Sequence, residues 1–379
     1  MEDKHPTPDR SVVLLGGGHA HVKVLADLAE RPLAGWQVHL VTPYRRQIYS
    51  GMLPGWIAGH YPIDACAIAL DRLAAAAGIT LHETSGSALD LAQGRVHCAD
   101  GSSVRFDQLS IDTGPMPALQ GLPGSAEHAL PVRPIERFIA AWPAMAQRFT
   151  GQRQRFDLAI LGAGAAGIEL AFAIQYRARI EGWPQLRITV VGSDALPLPG
   201  TPAATRRHAA ALLGQRGITW MGQRRATHLT AEAMHFEQGA PLHFDAALVS
   251  TGAAAPAWPA ASGLATDAGG FIRVRPTLQS VSHPQVFAAG DVAAYAQPRP
   301  KSGVYAVRAG PVLAHNLRAA CEGQPLQSWT PQARALYLIS TGERHALATW
   351  GRWSWGGAWV WRWKDRIDRQ FMRRFGTAA

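Results

Sequence analysis

The chain has 379 residues, 47% apolar and 17% charged, which excludes disorder and leaves room for two to three domains. Lys and Arg exceed Asp and Glu by 37 to 27, so the net charge of +10 favours anionic partners (phosphates, lipid headgroups or nucleic acid) without choosing among them. The 38 glycines and 26 prolines fall singly between apolar runs, which excludes collagen-like and low-complexity architectures.

The first ten residues are polar and lack an apolar h-region, so no secretory signal is expected. Residues 11–15 form an apolar run, followed by Gly16-Gly17-Gly18-His19-Ala20-His21, a helical pattern to about Glu30 and an alternating strand at 37–41. Residues 43–60 read as a loop, 64–77 as an Ala-rich helix, 79–106 as an antiparallel meander and 109–112 as a return strand. The plan then repeats: strand 156–161, Gly162-Ala163-Gly164-Ala165-Ala166-Gly167, helix 168–180, strand 187–191, helix 201–216 and short runs leading to a strand at 244–250. Such an internal repeat tells more than either glycine motif alone. A strand near 286–288, a helix over 302–321 and a tail rich in Trp and Arg from 328 complete the chain. No run of about 18 apolar residues exists, so a spanning helix is not expected.

Gly162, Gly164 and Gly167 make a complete dinucleotide fingerprint. The first permits a tight turn, the second lets the backbone approach a pyrophosphate, and the third lets helix pack on strand. In the N-terminal copy Gly16 and Gly18 hold the first two places and His21 stands in the third, so a wider gap or an imidazole turned aside is expected. Neither copy shows the usual ribose carboxylate. Thr42 ends the second strand of the first, Gly192-Ser193 that of the second, and Asp194 comes one or two residues late. NADH and NADPH are therefore not distinguished. Cys66, Cys98 and Cys321 form no C-x-x-C, so neither a disulfide framework nor a metal site is expected, and a reducing, cytoplasmic compartment fits.

These motifs, with Asp112-Thr113-Gly114, Ser250-Thr251-Gly252 and Phe287-Ala288-Ala289-Gly290-Asp291, resemble the two-dinucleotide flavoproteins of the pyridine nucleotide-disulfide oxidoreductase superfamily. The branch resembled is that of type II NADH dehydrogenases and sulfide:quinone oxidoreductases. Gly-Gly-Gly-His-Ala-His, Tyr49-Ser50-Gly51-Met52-Leu53-Pro54-Gly55 and residues 299–308 are similar to the flavoprotein module fused to selenide, water dikinase. The resemblance implies an α/β fold of two Rossmann-like domains, the second inserted in the first, each with a meander. An FAD domain would span 1–130 and 253–327, an NAD(P) domain 131–252, and a tail 328–379.

The resemblance also implies site residues. Gly16, Gly18, His19, Thr42, Met52, Thr113, Gly114, Gly290 and Asp291 would hold FAD. Gly162, Gly164, Gly167, Thr251 and Gly252 would hold NADH or NADPH. Glu169, Tyr49 and Lys301 would stand near the reacting rings, with Lys301 offsetting negative charge on flavin. The three cysteines do not fall on the sulfide-oxidising positions and read as buried small hydrophobes.

In the tail, positions 360, 363, 367, 371 and 375 form one helical stripe flanked by cations. Residues 358–375 thus read either as a helix lying on a membrane, at the inner face, or as a cover for the core. Nucleic acid is discounted. The expected activity is hydride transfer from NAD(P)H to FAD, with electrons passing to a second acceptor such as a quinone. The alternatives are a selenium- or sulfur-linked redox enzyme and a flavin-bearing binding protein with a basic lipid- or nucleic-acid-binding tail.

Overall fold

The computed structural model describes residues 10–150 and 154–376; the polar N-terminus assessed for a signal lies almost wholly outside them. In chain order the principal elements begin with β1 (Arg10–Leu15), α1 (His19–Glu30), β2 (Trp36–Val41), α2 (Leu70–Ala76), β3 (Thr80–His82) and β4 (Gln108–Ile111). The repeat follows as α3 (Ile135–Thr150), β5 (Phe156–Leu161), α4 (Ala165–Glu181), β6 (Leu186–Val191), α5 (Ala203–Gln215), β7 (Thr219–Met221) and β8 (Ala246–Val249). Then come β9 (Val286–Ala288), α6 (Gly303–Glu322), β10 (Tyr337–Ser340), β11 (Ala346–Trp350), β12 (Trp353–Gly357) and α7 (Ala358–Phe375).

Two parallel sheets carry the fold. One has the order β9-β4-β1-β2-β3. The other places the short strand Leu130–Pro131 beside β8, then β5, β6 and β7. Their strands are nearly continuous apolar runs because helices and meanders cover both faces. Each sheet carries a three-stranded antiparallel appendage, at 86–105 and at 226–243. Among the described residues no helix is long and apolar enough to cross a membrane.

Three segments depart from the sequence reading. The loop at 43–60 contains a strand, Arg46–Ile48, and a short helix, Leu53–Ile57. The helix expected from 64 begins only at Leu70. Before it, Ile63–Cys66 is a 3-10 turn and Ala67–Ala69 is a strand antiparallel to Arg46–Ile48. Cys66, Ala67, Ile68 and Leu70 are all buried, and the alanine content of this stretch disguises the short strand as helix. Thr80–His82, assigned to the meander, extends the parallel sheet beside β2.

The tail bridges the two halves. Strands β10, β11 and β12 form an antiparallel sheet that packs on α4 and α5, while α7 reaches back to α1. Gly342 takes a left-handed φ of 87°, and a Cβ there would lie 2.2 Å from the Phe172 carbonyl oxygen, so only glycine fits this approach to α4. Its carbonyl accepts a hydrogen bond from His60 Nε2 at 2.8 Å.

Candidate active site

The two glycine turns are built by the same close approach. A Cβ on Gly16 would lie 2.5 Å from the Asp112 carbonyl oxygen, and one on Gly162 would lie 2.2 Å from that of Ser250. In each copy the turn after the first strand thus presses on the end of the returning strand. At Gly167 a Cβ would meet the Gly162 carbonyl oxygen at 1.9 Å, which is the helix–strand contact the third glycine exists to permit.

His21 solves the same problem differently. Its Nδ1 donates to the Gly16 carbonyl at 2.6 Å and its Nε2 accepts from Ser110 Oγ at 2.8 Å, so the neutral ring is satisfied on both sides. Burial pushes it down to about 4. The imidazole staples α1 to β4 where a glycine would have let them touch. Asp112 completes this corner by accepting from the Ala20 and His21 amides at 2.8 and 3.0 Å, filling the place of a helix cap. Burial pushes its carboxyl up to about 7, against those two amide bonds.

Gly290, at φ 70°, packs its Cα against the Asp112 carboxylate and delivers Asp291 to the same corner. Asp291 is buried and forms an ion pair with Arg133 at 3.1 Å. His19, at the start of α1, accepts at Nδ1 from Gln47 Nε2 at 2.7 Å. His19 Nε2 and Gln47 Oε1 are buried with no protein partner. Two orphaned polar atoms beside the glycine turn at the start of α1 are what a cradle for FAD would offer. A lone glutamine in a loop gives no signal until its strand is known.

The Gly162 turn is open. A Cβ added at Gly164 or Gly252 would find nothing within 4 Å, which leaves the room a pyrophosphate requires. Thr251 Oγ1 donates to the Ala118 carbonyl, and 116–117 pairs with 253–254 to tie the two closing segments together. Gly114 is equally open, and Thr113 is exposed. Asp194 is engaged by Arg206 Nη2 at 3.0 Å.

Residues 10–310 match the family described as pyridine nucleotide-disulphide oxidoreductase. The chain belongs to this family. It is a flavin-dependent pyridine nucleotide oxidoreductase that binds FAD and uses NAD(P)H. It is 25% identical over 343 residues to demethylphylloquinone reductase of Synechocystis sp., covering 86% of this chain and 82% of that protein. The alternative NAD(P)H-ubiquinone oxidoreductase C1 of Arabidopsis thaliana is 24% identical over 74% of this chain and 60% of that one. The sulfide:quinone oxidoreductase structure from Aquifex aeolicus superposes with a TM-score of 0.80 at 16% identity, over 97% of this chain and 91% of its own. That likeness is one of fold.

Several residues of this oxidoreductase stand elsewhere than the sequence suggests. Thr42 is 2% exposed, and its Oγ1 accepts from the Tyr44 amide at 3.5 Å. Met52 is 1% exposed and belongs to the core. Lys301 donates to the Ala293 carbonyl at 2.7 Å, with its ammonium 3.7 Å from the centre of the Phe271 ring. Its charge remains within electrostatic reach of Asp291 and Asp267.

The tail carries a buried lysine of its own. Lys364 and Asp368, one turn apart on α7, are both buried and paired at 2.7 Å, and Lys364 Nζ also donates to the Gly51 carbonyl at 2.5 Å. Phe371 stacks on Tyr49 with ring centres 4.5 Å apart. Burial, then the adjacent Asp368 carboxylate, drives the Tyr49 phenol well above its ordinary range, so it stays protonated. Helix α7 therefore grips the 49–52 loop. Glu169 faces the same cluster, accepting from the Ser340 amide at 2.7 Å, and burial pushes it up to about 7 despite Lys364 nearby.

The expected apolar stripe of α7 is split between two faces. Val360 and Phe375 are buried, with Trp361 beside them, whereas Trp363 and Ile367 are 40% and 38% exposed and Trp359 is 50% exposed. Leu336, Trp350, Trp355, Trp359 and Trp363 line an open cavity of about 440 Å³. The sequence reading posed core cover and surface contact as alternatives, but one helix offers a face to each.

Proposed function

We propose that the chain oxidises NAD(P)H at the Gly162 turn and passes the electrons through FAD, held at the Gly16 turn, to a quinone. When bound, FAD accepts hydride at one face and releases electrons to a second substrate, so the fold's task is alignment. In this reading 1–130 with 253–327 holds FAD, through Gly16, Gly18, His19, Gly290 and Asp291. Residues 131–252 hold the nicotinamide cofactor through Gly162, Gly164, Gly167 and Gly252. Glu169, Tyr49 and Lys364 fix the loop between them and keep its protons.

One observation carries the choice of a quinone. The helix that grips the 49–52 loop on its inner face carries, on its outer face, the aromatic cavity. That suits an apolar acceptor delivered from a membrane surface, with Arg362, Arg366, Arg373 and Arg374 meeting anionic headgroups. The names of the Synechocystis and Arabidopsis relatives support the same substrate class. A cytoplasmic enzyme peripheral to the inner face of the membrane follows.

The selenium- or sulfur-linked alternative rests on motif resemblance alone. All three thiols are buried, and burial pushes Cys66 and Cys321 up to about 12, which is unlike a reactive cysteine. Steady-state turnover of the holoprotein with NADH and NADPH against quinones, sulfide, selenide and a soluble dye tests the reading. Quinone turnover at a rate comparable to the dye is expected. Dye reduction without quinone reduction would overturn the acceptor.

A further inference from the structure

In the second copy of the plan, β6 ends where a carboxylate commonly reads the ribose of a dinucleotide. Position 192 is instead a glycine, and its neighbours give the reason. A Cβ there would lie 2.6 Å from Trp220 Cη2 and 2.8 Å from the Ala163 Cβ. The indole of Trp220, on β7, thus fills the space that a side chain at 192 would need, beside the middle residue of the Gly162-Ala163-Gly164 turn. Its Nε1 donates to the Ala195 carbonyl at 3.1 Å, which holds the ring in place. An acid cannot stand at the strand end while Trp220 is there.

The segment that follows is tied to the same turn at both ends. The Gly162 amide donates to the Val191 carbonyl at 2.9 Å, and the Leu198 amide donates to the Ala163 carbonyl at 2.8 Å. Between these ties, residues 192–198 carry one ionisable side chain, Asp194. Arg206, on α5, fixes it. The arginine Nη2 lies 3.0 Å from Asp194 Oδ1 and donates to the Leu196 carbonyl at 2.6 Å, while its Nε donates to the Pro197 carbonyl at 3.1 Å. The pair is neutral as a whole, and its acid is the more exposed member, 42% against 23%. Arg224, whose amide donates to the Gly192 carbonyl at 3.0 Å, lays its guanidinium against Gly239 in the antiparallel appendage, where a Cβ would lie 3.2 Å from Arg224 Cζ.

We propose that Asp194, latched by Arg206, reads the adenosine ribose of the nicotinamide nucleotide and makes this enzyme favour NADH over NADPH. This rests on the reading that gives the Gly162 turn to the nicotinamide cofactor, and adds to it which of the two nucleotides is taken. A ribose 2′-hydroxyl donates to a carboxylate. A 2′-phosphate would bring a second anion against the exposed acid, and the arginine that could answer it already balances Asp194 and holds two loop carbonyls. Trp220 is a positioning residue: by filling the strand end it moves the acid two residues along the chain, onto the loop.

The test is calorimetric titration of oxidised, FAD-loaded protein with NAD+ and NADP+, which differ only at the 2′ position, with melting temperatures measured alongside. NAD+ should bind about tenfold or more tightly than NADP+, and added salt should narrow the gap because the repulsion is screened. Asp194→Asn should bring the two affinities within about threefold of each other, chiefly by a gain for NADP+, since the arginine charge is then unbalanced. Should that variant be unstable, Asp194→Ser carries the same expectation. Equal affinities in the wild type overturn the proposal. So does a gap that persists in both folded variants, because the discrimination would then lie elsewhere. The reading of the turn fails in a different way. Wild-type protein that binds neither nucleotide, or Gly164→Val protein that binds both as the wild type does, would sink that assignment and this proposal with it.

Discussion

The sharpest prediction concerns two glycines three residues apart. At Gly164 an added Cβ meets nothing within 4 Å, and the backbone is extended at φ −71° and ψ −179°, a conformation open to any L-residue. Gly164→Val should therefore fold normally, with stability changed by no more than about 1 kcal/mol and even raised by the stiffer unfolded chain. At Gly167 the same methyl would lie 1.9 Å from the Gly162 carbonyl oxygen. Gly167→Ala must push α4 off β5, a strain of about 1–3 kcal/mol, and should lower the melting temperature by several degrees. The two variants should separate in opposite directions. Gly164→Val keeps its melting temperature and its FAD but loses anaerobic flavin reduction by NADH and by NADPH, because the side chain occupies the pyrophosphate's place. Gly167→Ala loses stability first. Wild-type flavin reduction in Gly164→Val would refute the assignment of that turn to the nicotinamide cofactor.

Lys364→Met leaves Asp368 buried without its partner, so it should cost about 3–5 kcal/mol in chemical denaturation, while Lys364→Met with Asp368→Leu should recover most of that. The folded value of Glu169 stands above its unfolded one, so its contribution is complete below about pH 4.5 and is lost as pH rises through about 7. Glu169→Gln should therefore flatten the fall in stability across that window, worth at most about 3 kcal/mol at 1.36 kcal/mol per pH unit, and melting curves at pH 5 and 8 check it. Replacing Trp359, Trp363 and Ile367 together by Ser should leave the melting temperature within a few degrees yet abolish salt-sensitive binding to anionic liposomes. Unchanged liposome binding would remove the membrane from the account.

The repeat was legible because glycine turns have a mechanical cause: Gly16 and Gly162 each sit where a backbone crosses the returning strand. The strands and helices next to each glycine turn follow the sequence pattern closely, whereas 43–82 does not, since its alanines hide a strand before Leu70. The tail was not legible in this way. Its tryptophans look alike in sequence, and only the docking of α7 on the 49–52 loop decides that Trp361 is covered while Trp359 and Trp363 are bare. Lys364 and Asp368 could have been noticed from their spacing of four, yet the same spacing joins the partly exposed Asp365–Arg369 pair, so burial alone tells them apart. Arg133 gave no signal, since its partner lies 158 residues away.

The two copies began from one plan and differ in how far each has been closed. Around Gly16 and Gly18 the protein fills its own space: a Cβ at Gly18 would strike the Asp112 carboxylate at 2.2 Å, one at Gly290 would strike the same carboxylate at 2.5 Å, and His21 spans the helix–strand gap. Around Gly164 and Gly252 nothing of the kind has been added. A nucleotide held in the first cradle would be enclosed by groups from across the chain and would leave slowly. One held in the second would meet an open turn and could exchange at every cycle. That asymmetry is what a resident flavin and a diffusing nicotinamide substrate require, and it arises from the residues laid over a common turn, the turn itself being nearly the same in both.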